Sequence, residues 1–173
     1  RVAEDFAMFD IDVTTEDPGT EALRKSNSSD AQFGMRCVIG GSGSTWYGAN
    51  VGGVALGSTF SSSQDVPCWV FPVGGTGFGA KNVAEASSHE VGHTLGLAHD
   101  GIEGVTGATT GQGNWGTIMG VSYSKPITQW DKGEFASPSN TQDDLAVMLS
   151  KGAVYRPDDH GSTVATATKL SAD

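Results

Sequence analysis

His89-Glu90-Val91-Gly92-His93-Thr94-Leu95-Gly96-Leu97-Ala98-His99-Asp100 is the stretch from which the rest of the chain is best read. On a helix, His89 and His93 stand four residues apart on one face, about 6 Å along the axis, so both imidazoles reach one ion. Glu90 projects beside the pair without pointing at the metal, which suits a carboxylate that takes a proton from water held there. Gly96 has no Cβ and can adopt the left-handed conformation that ends a helix, so His99 arrives from a new direction as the third ligand. Three imidazoles leave a fourth position open, the feature that separates a catalytic zinc from a structural one. The His-Glu-x-x-His core alone also arises by chance on amphipathic helices. With 25 Gly and 4 His among 173 residues, requiring Gly96 and His99 too makes such a match roughly three-hundred-fold rarer. The fourth histidine, His160, falls in a polar C-terminal stretch and reads as a solvated side chain.

This run resembles the signature of the metzincin metalloproteases, His-Glu-x-x-His-x-x-Gly-x-x-His followed by a methionine-containing turn. Gly116-Thr117-Ile118-Met119-Gly120-Val121-Ser122-Tyr123 looks like that turn, with Met119 twenty residues after His99. The resemblance implies that Met119 forms an apolar floor beneath the imidazoles and is not a ligand; an ordinary core methionine differs little physically. Asp100, directly after the third histidine, is similar to the residue found there in the reprolysin or adamalysin branch, which implies a bracing role through hydrogen bonds to buried backbone. The motif-level match covers residues 89–123, and residues 1–159 look most like secreted bacterial proteins of this type.

The fold implied is α+β: a metzincin-like catalytic domain over residues 1–155 whose cleft lies between subdomains 1–99 and 100–155. The upper part is expected to hold a twisted, mostly parallel sheet with an antiparallel edge strand plus the active-site helix, and the lower part to be irregular with one helix. Residues 156–173 read as a linker or tail, or as the start of a truncated further domain. Alternation at Phe9, Ile11 and Val13 predicts a first strand, and residues 35–39, 54–56 and 68–71 predict three more between Gly- and Ser-rich loops. The active helix is expected over about residues 82–97, and residues 1–7 read as the end of a longer helix. Six glycines between Gly101 and Gly116 predict a loop that is mobile unless pinned. A last helix is expected over about residues 141–151, with Thr141 as N-cap, Asp144 at the capping-box position, and Asp143 and Asp144 suiting its positive end.

Ten Lys and Arg against twenty Asp and Glu give a formal charge of −10, which argues against nucleic acid or an anionic membrane as partner. No apolar run reaches bilayer-spanning length. The absence of an initiator methionine and of a signal peptide suggests a mature or trimmed form, and the family resemblance implies secretion. Cys37 and Cys68 lie in different predicted strands; a disulfide and two free, buried thiols are both open, and if neighbouring parallel strands carry them the demanding disulfide geometry favours the free thiols. Calcium is a possible second cofactor, with Asp10, Asp12, Glu16, Asp17, Asp143, Asp144, Asp158 and Asp159 as candidates, although solvated charge and helix capping explain them more simply.

The resemblance implies a zinc endopeptidase that cleaves extended protein or peptide substrates, with Glu90 as general base and the chain most simply a monomer. The segment from Gly52 to Gly57, including Gly53, Val54 and Ala55, is either the strand that pairs with substrate or an ordinary interior strand. Val121, Ser122, Tyr123, Pro126 and Ile127 are candidates for the wall of a specificity pocket, with Tyr123 either packed there or donating to the transition state. Two other classes stay open: a catalytically silent domain that binds a partner protein, and a metal-dependent hydrolase of a non-peptide amide.

Overall fold

A computed structural model describes residues 1–73, 79–158 and 160–169. Along the chain come α1 (Val2–Asp5), a 3-10 turn (Thr20–Leu23), β1 (Cys37–Ile39), α2 (Gly43–Trp46), β2 (Gly53–Val54), β3 (Cys68–Val70), α3 (Ala80–Thr94), β4 (Trp115–Thr117), β5 (Ile127–Gln129) and α4 (Asp144–Ser150). The class is α+β, as the sequence implies.

The main sheet runs β1-β3-β2. β1 pairs with β3 in parallel, Cys37 opposite Cys68, and β2 pairs with β3 antiparallel as an outer strand. The antiparallel edge is therefore present, but only one of the two pairings is parallel. Cys68 and Val70 are buried on the face that carries α3, and Trp69 turns the other way to meet Trp46 at 4.8 Å between ring centroids. Period-two alternation thus splits β3 between two layers. Both cysteines are free, in agreement with the difficulty of bridging neighbouring parallel strands, but only Cys68 is buried; Cys37 is half-buried.

The stretch Ala80-Lys81-Asn82-Val83-Ala84-Glu85-Ala86 is rich in good helix formers and carries α3 forward without a side-chain N-cap. The small side chains Ala86, Ser87, Ser88 and Gly92 let it lie close to its neighbours, and all four are buried. At Gly92 a Cβ would stand 2.6 Å from Met119 Sδ, so the helix and the Met119 thioether touch through the glycine. The helix stops three residues before the predicted end. Gly96 has φ +91°, its N–H donates to His93 O at 2.9 Å, and Leu97 N–H donates to Gly92 O at 3.0 Å; this left-handed closure releases Leu97 from the helix.

Two expectations are corrected, and a conditional one is resolved. Residues 9–13 form no strand: Phe9 makes only an isolated bridge to Tyr155, and its ring is fully buried and stacked on Tyr155 at 5.3 Å. Of the alternating residues only Phe9 reaches the core; Ile11 is half-buried and Val13 is exposed. α4 begins at Asp144, and its N-cap is Asp143, whose side chain accepts from Ala146 N; Thr141 lies outside it. Gln142, ahead of the cap, turns its side chain to the segment before His99, where its Oε1 accepts from Ala98 N at 2.8 Å. The glycine-rich loop after His99 is pinned: Thr109 N–H donates to Asp100 O and Val121 N–H to Thr109 O, both at 2.7 Å, and β4 and β5 form a second, unexpected parallel pair.

The core gathers at the junction of these parts. Phe6, Leu95, Met119, Trp130 and Met148 pack together, so α1, the end of α3, the methionine turn and α4 share one interior. Trp130 Nε1 also donates to Asp5 O at 2.7 Å, and Ser88 Oγ to Asp5 Oδ2 at 2.6 Å, locking α1 onto this interior. No helix among the described residues is long and apolar enough to cross a membrane.

Candidate metal centre

His89 and His93 lie on one face of α3, and the turn at Gly96 swings His99 back towards them. His93 Nε2 is 3.0 Å from His99 Nε2, and His99 Nε2 is 3.1 Å from His89 Nε2. Zinc–imidazole bonds of about 2.0–2.1 Å in tetrahedral array place ligand nitrogens about 3.3 Å apart, so the observed spacing is close to that of a triad around one ion. The tautomers support the same conclusion. His89 Nδ1 is 2.8 Å from Ile118 O, and His93 Nδ1 is 2.8 Å from Leu97 O. Carbonyls only accept, so each Nδ1 carries the proton and each Nε2 presents a lone pair.

Burial keeps these rings neutral. It pushes His89 down to about 3, helped by the neighbouring His93, and lowers His93 and His99 in the same direction. Neutral imidazole is the metal-binding form. Lone pairs facing one another at 3 Å repel unless something positive lies between them, and among the described residues this trio forms a group able to hold a metal ion.

Glu90 is 6% exposed. Burial, and secondarily Cys37, push its carboxyl up to about 8; a cation at the imidazoles would draw it back down. β2 fixes its position, because a Cβ on Gly53 would stand 2.5 Å from Glu90 Cγ and Oε1. Gly53 is therefore a place where the backbone must come close, and a methyl there has to move the carboxylate. Gly53→Ala is expected to retain metal while slowing turnover by roughly ten- to a hundred-fold, the scale of an ångström misplacement; zinc analysis beside a peptide-cleavage assay checks both parts.

Met119 is fully buried, and its turn is tied to the helix and to the third histidine. Ile118 O accepts from His89, and Met119 O accepts from Asp100 N at 3.0 Å. Asp100 is 2% exposed. It accepts from Thr117 Oγ1 and, at 2.9 Å, from Asn140 Nδ2, so it joins the His99 segment to the methionine turn and to the chain leading into α4.

Of the proposed pocket residues, Ser122 and Tyr123 line a small cavity against His89, together with Glu85, Thr117 and Thr128. Burial, then Glu90 and Glu85, push the Tyr123 phenol up to about 12, so it stays protonated and able to donate. Val121 is 44% exposed. Pro126 and Ile127 do not join the cavity; they line a separate hollow with Arg1, Met8 and Trp130. Gly53, Val54 and Ala55 are half-buried on the outer strand and the turn after it.

Sequence reading missed Glu85, Asn140 and Gln142. Glu85 is one helical turn before His89 and nearly buried, with Oε1 held by Lys81 at 2.6 Å and Arg1 at 3.0 Å; its four-residue offset from His89 was the available signal. Among the calcium candidates, Asp143 caps α4 and Asp17 accepts from Gly19 N. Asp10, Asp12, Glu16 and Asp158 are exposed, and Asp159 lies outside the described residues. His160 is exposed, as expected, with its ring 2.9 Å from Thr168 Oγ1.

Asp144 behaves unlike the other acids. It is 1% exposed, and burial, with Asp100, Asp131 and Asp143 adding charge, pushes it up to about 8 from 3.8. A raised carboxyl means that the folded chain holds a proton the unfolded chain has lost, so stability falls as pH rises between about 4 and 8, by at most about 1.4 kcal/mol per unit. In chelator, urea midpoints are expected to drop over this window and to drop less in Asp144→Asn; an unchanged slope in the variant would contradict this assignment.

Compared with protein-family models, curated proteins and solved structures, the chain finds no match, so the functional reading rests on the geometry of these residues.

Proposed function

We propose that this chain is a zinc-dependent endopeptidase of metzincin type, resembling the reprolysin branch and acting outside the cell. The observation that carries the proposal is the convergence of three Nε2 lone pairs at 3.0–3.1 Å with Glu90 buried beside them. Zinc held there would supply Lewis acidity, polarising a scissile carbonyl and making water acidic enough to lose a proton near neutral pH. Glu90 takes the proton of the attacking water and returns it to the leaving amine. The protonated Tyr123 hydroxyl, held by burial beside Glu90, is a donor available to the developing oxyanion.

β2 is the outer strand of its sheet, and an extended peptide laid along it would be gripped by its main chain without regard to sequence. The small cavity beside His89 would then take one substrate side chain. On this reading the His99 side, joined through Asp100, Asn140 and Gln142, would form the opposite wall of a substrate cleft.

The test is digestion of unfolded casein and of a mixed peptide library, with the cuts mapped by mass spectrometry. Cleavage at internal peptide bonds, lost in chelator and restored by zinc, is the expected result. A folded, zinc-loaded chain that cuts no peptide but binds one would favour the silent binding domain. Hydrolysis confined to small non-peptide amides would favour the third class.

A further inference from the structure

Cys37 on β1 and Cys68 on β3 stand directly opposite one another in parallel register, and both are free. Register partners point to the same face of a sheet. Here that face carries α3, the two sulfurs are hydrogen-bonding neighbours, and Ser87 of α3 adjoins Cys37. The two thiols are not equivalent. Cys68 is fully buried, whereas Cys37 is half-buried on the outer strand. The Cys68 thiol, as a hydrogen-bond donor, holds Cys37 below the usual thiol range, and Cys37 in turn, then burial, pushes Cys68 above it. Exposure and charge therefore agree that Cys37 is the thiol that reacts first.

Neighbouring strands lie about 4.8 Å apart, inside the Cα separation of about 4.4–6.8 Å that a disulfide tolerates, but partners that keep this spacing hold their Cβ atoms farther apart than the bond's mean of about 3.8 Å. Closing the pair therefore requires β1 to lean towards β3. Little opposes that movement. β1 is three residues long, lies at the edge of the described sheet, and carries Val38 and Ile39 at 39% and 55% exposure. A bond formed under such a constraint is readily reduced again.

We infer that Cys37 and Cys68 form a reversible thiol–disulfide site for low-molecular-weight disulfides, with Cys37 as the entry thiol and Cys68 as the resolving one. The Cys37 thiolate attacks one sulfur of the small disulfide and expels the other half as a thiolate. The mixed disulfide leaves no thiolate at Cys37, so the largest cause of the raised Cys68 thiol is gone. Cys68 then gives up its proton and attacks the Cys37 sulfur, expelling the second small thiolate. The chain loses two electrons, the small disulfide is reduced to two thiols, and the protons of both cysteines pass to them through solvent. The new bond lies behind Glu90, because β3 also carries β2, whose Gly53 presses on that side chain. Drawing β3 towards β1 shifts this contact, an effect on turnover that rests on the zinc-endopeptidase reading.

The experiment exposes the zinc-loaded chain to oxidised glutathione and follows intact mass, peptide maps and alkylatable thiols. The expected product is two hydrogens lighter, links Cys37 to Cys68 within one chain, keeps its zinc, and reverts in a phosphine reductant. Cys68→Ala should stop at the mixed disulfide, with one glutathione on Cys37. In brief iodoacetamide labelling of the unoxidised parent, which needs no variant, Cys37 should be alkylated before Cys68. Both thiols still alkylatable after exposure, a parent that stops at the mixed disulfide, or Cys68 labelled first would overturn the inference. Casein cleavage by the oxidised chain should slow roughly ten-fold and recover on reduction, less than the full cost of an ångström misplacement; an unchanged rate would sever the site from Glu90. A chain that cleaves nothing in either state would fail the endopeptidase reading, while mass and labelling still decide the thiol site.

Discussion

Glu90→Gln is expected to fold, to hold one zinc and to hydrolyse peptides roughly 10²–10⁴-fold more slowly than the parent, the usual scale of general acid–base catalysis. The side chain is nearly isosteric and stays under β2, where the close approach at Gly53 leaves little room for anything else. The ligand nitrogens are untouched, because Glu90 contributes nothing to the contacts that orient His89 and His93. What disappears is the carboxylate that the proposed mechanism uses to take a proton from water and deliver it to the amine. In the absence of metal the buried carboxyl is largely protonated, and the amide is a neutral group of the same shape, so the variant should be no less stable than the parent there. Zinc analysis and turnover on the same preparation separate the two roles: full zinc with near-parental turnover would remove Glu90 from the mechanism, and loss of zinc would make it a determinant of the site's structure.

His93→Ala is expected to lose both zinc and turnover, the affinity falling by well over the hundred-fold that disturbing a ligand's supporting hydrogen bond costs. His93 is the middle member of the trio, near His99 through Nε2 and joined to Leu97 O through Nδ1. Its removal therefore takes out a ligand and also loosens the turn that delivers His99. Two remaining imidazoles cannot make the closed three-ligand face of a catalytic zinc. Equilibrium dialysis against zinc, with circular dichroism to confirm folding, measures this directly; a folded variant that binds zinc as the parent does would contradict the ligand assignment.

The candidate metal centre was legible in the sequence because nearly all of it is local. His89, Glu90 and His93 are fixed by helical periodicity, and Gly96 sets the return of His99 by one left-handed residue. Met119 was reachable only through family resemblance, since nothing in the spacing places it under Gly92. The acidic cluster was not legible. Asp131 follows a tryptophan on an irregular segment, Asp144 looked like a helix-end charge, and their meeting with Asp100 depends on three long-range chain paths. The misread strand at residues 9–13 has a related cause: alternation records burial, and Phe9 is buried by Tyr155 from the far end of the chain, not by a neighbouring strand. The N-cap of α4 is Asp143, whose side chain accepts from Ala146 N, two residues beyond the expected Thr141. Thr and Asp both serve as N-caps, so propensity alone leaves that choice open.

The most direct test of the central claim is a zinc titration of the metal-free chain, read as the initial rate of casein cleavage. The rate should climb from near zero in proportion to added zinc and break sharply at one zinc per chain. Cleavage at full rate before any metal is added, or no cleavage by a folded chain carrying one zinc, would contradict it.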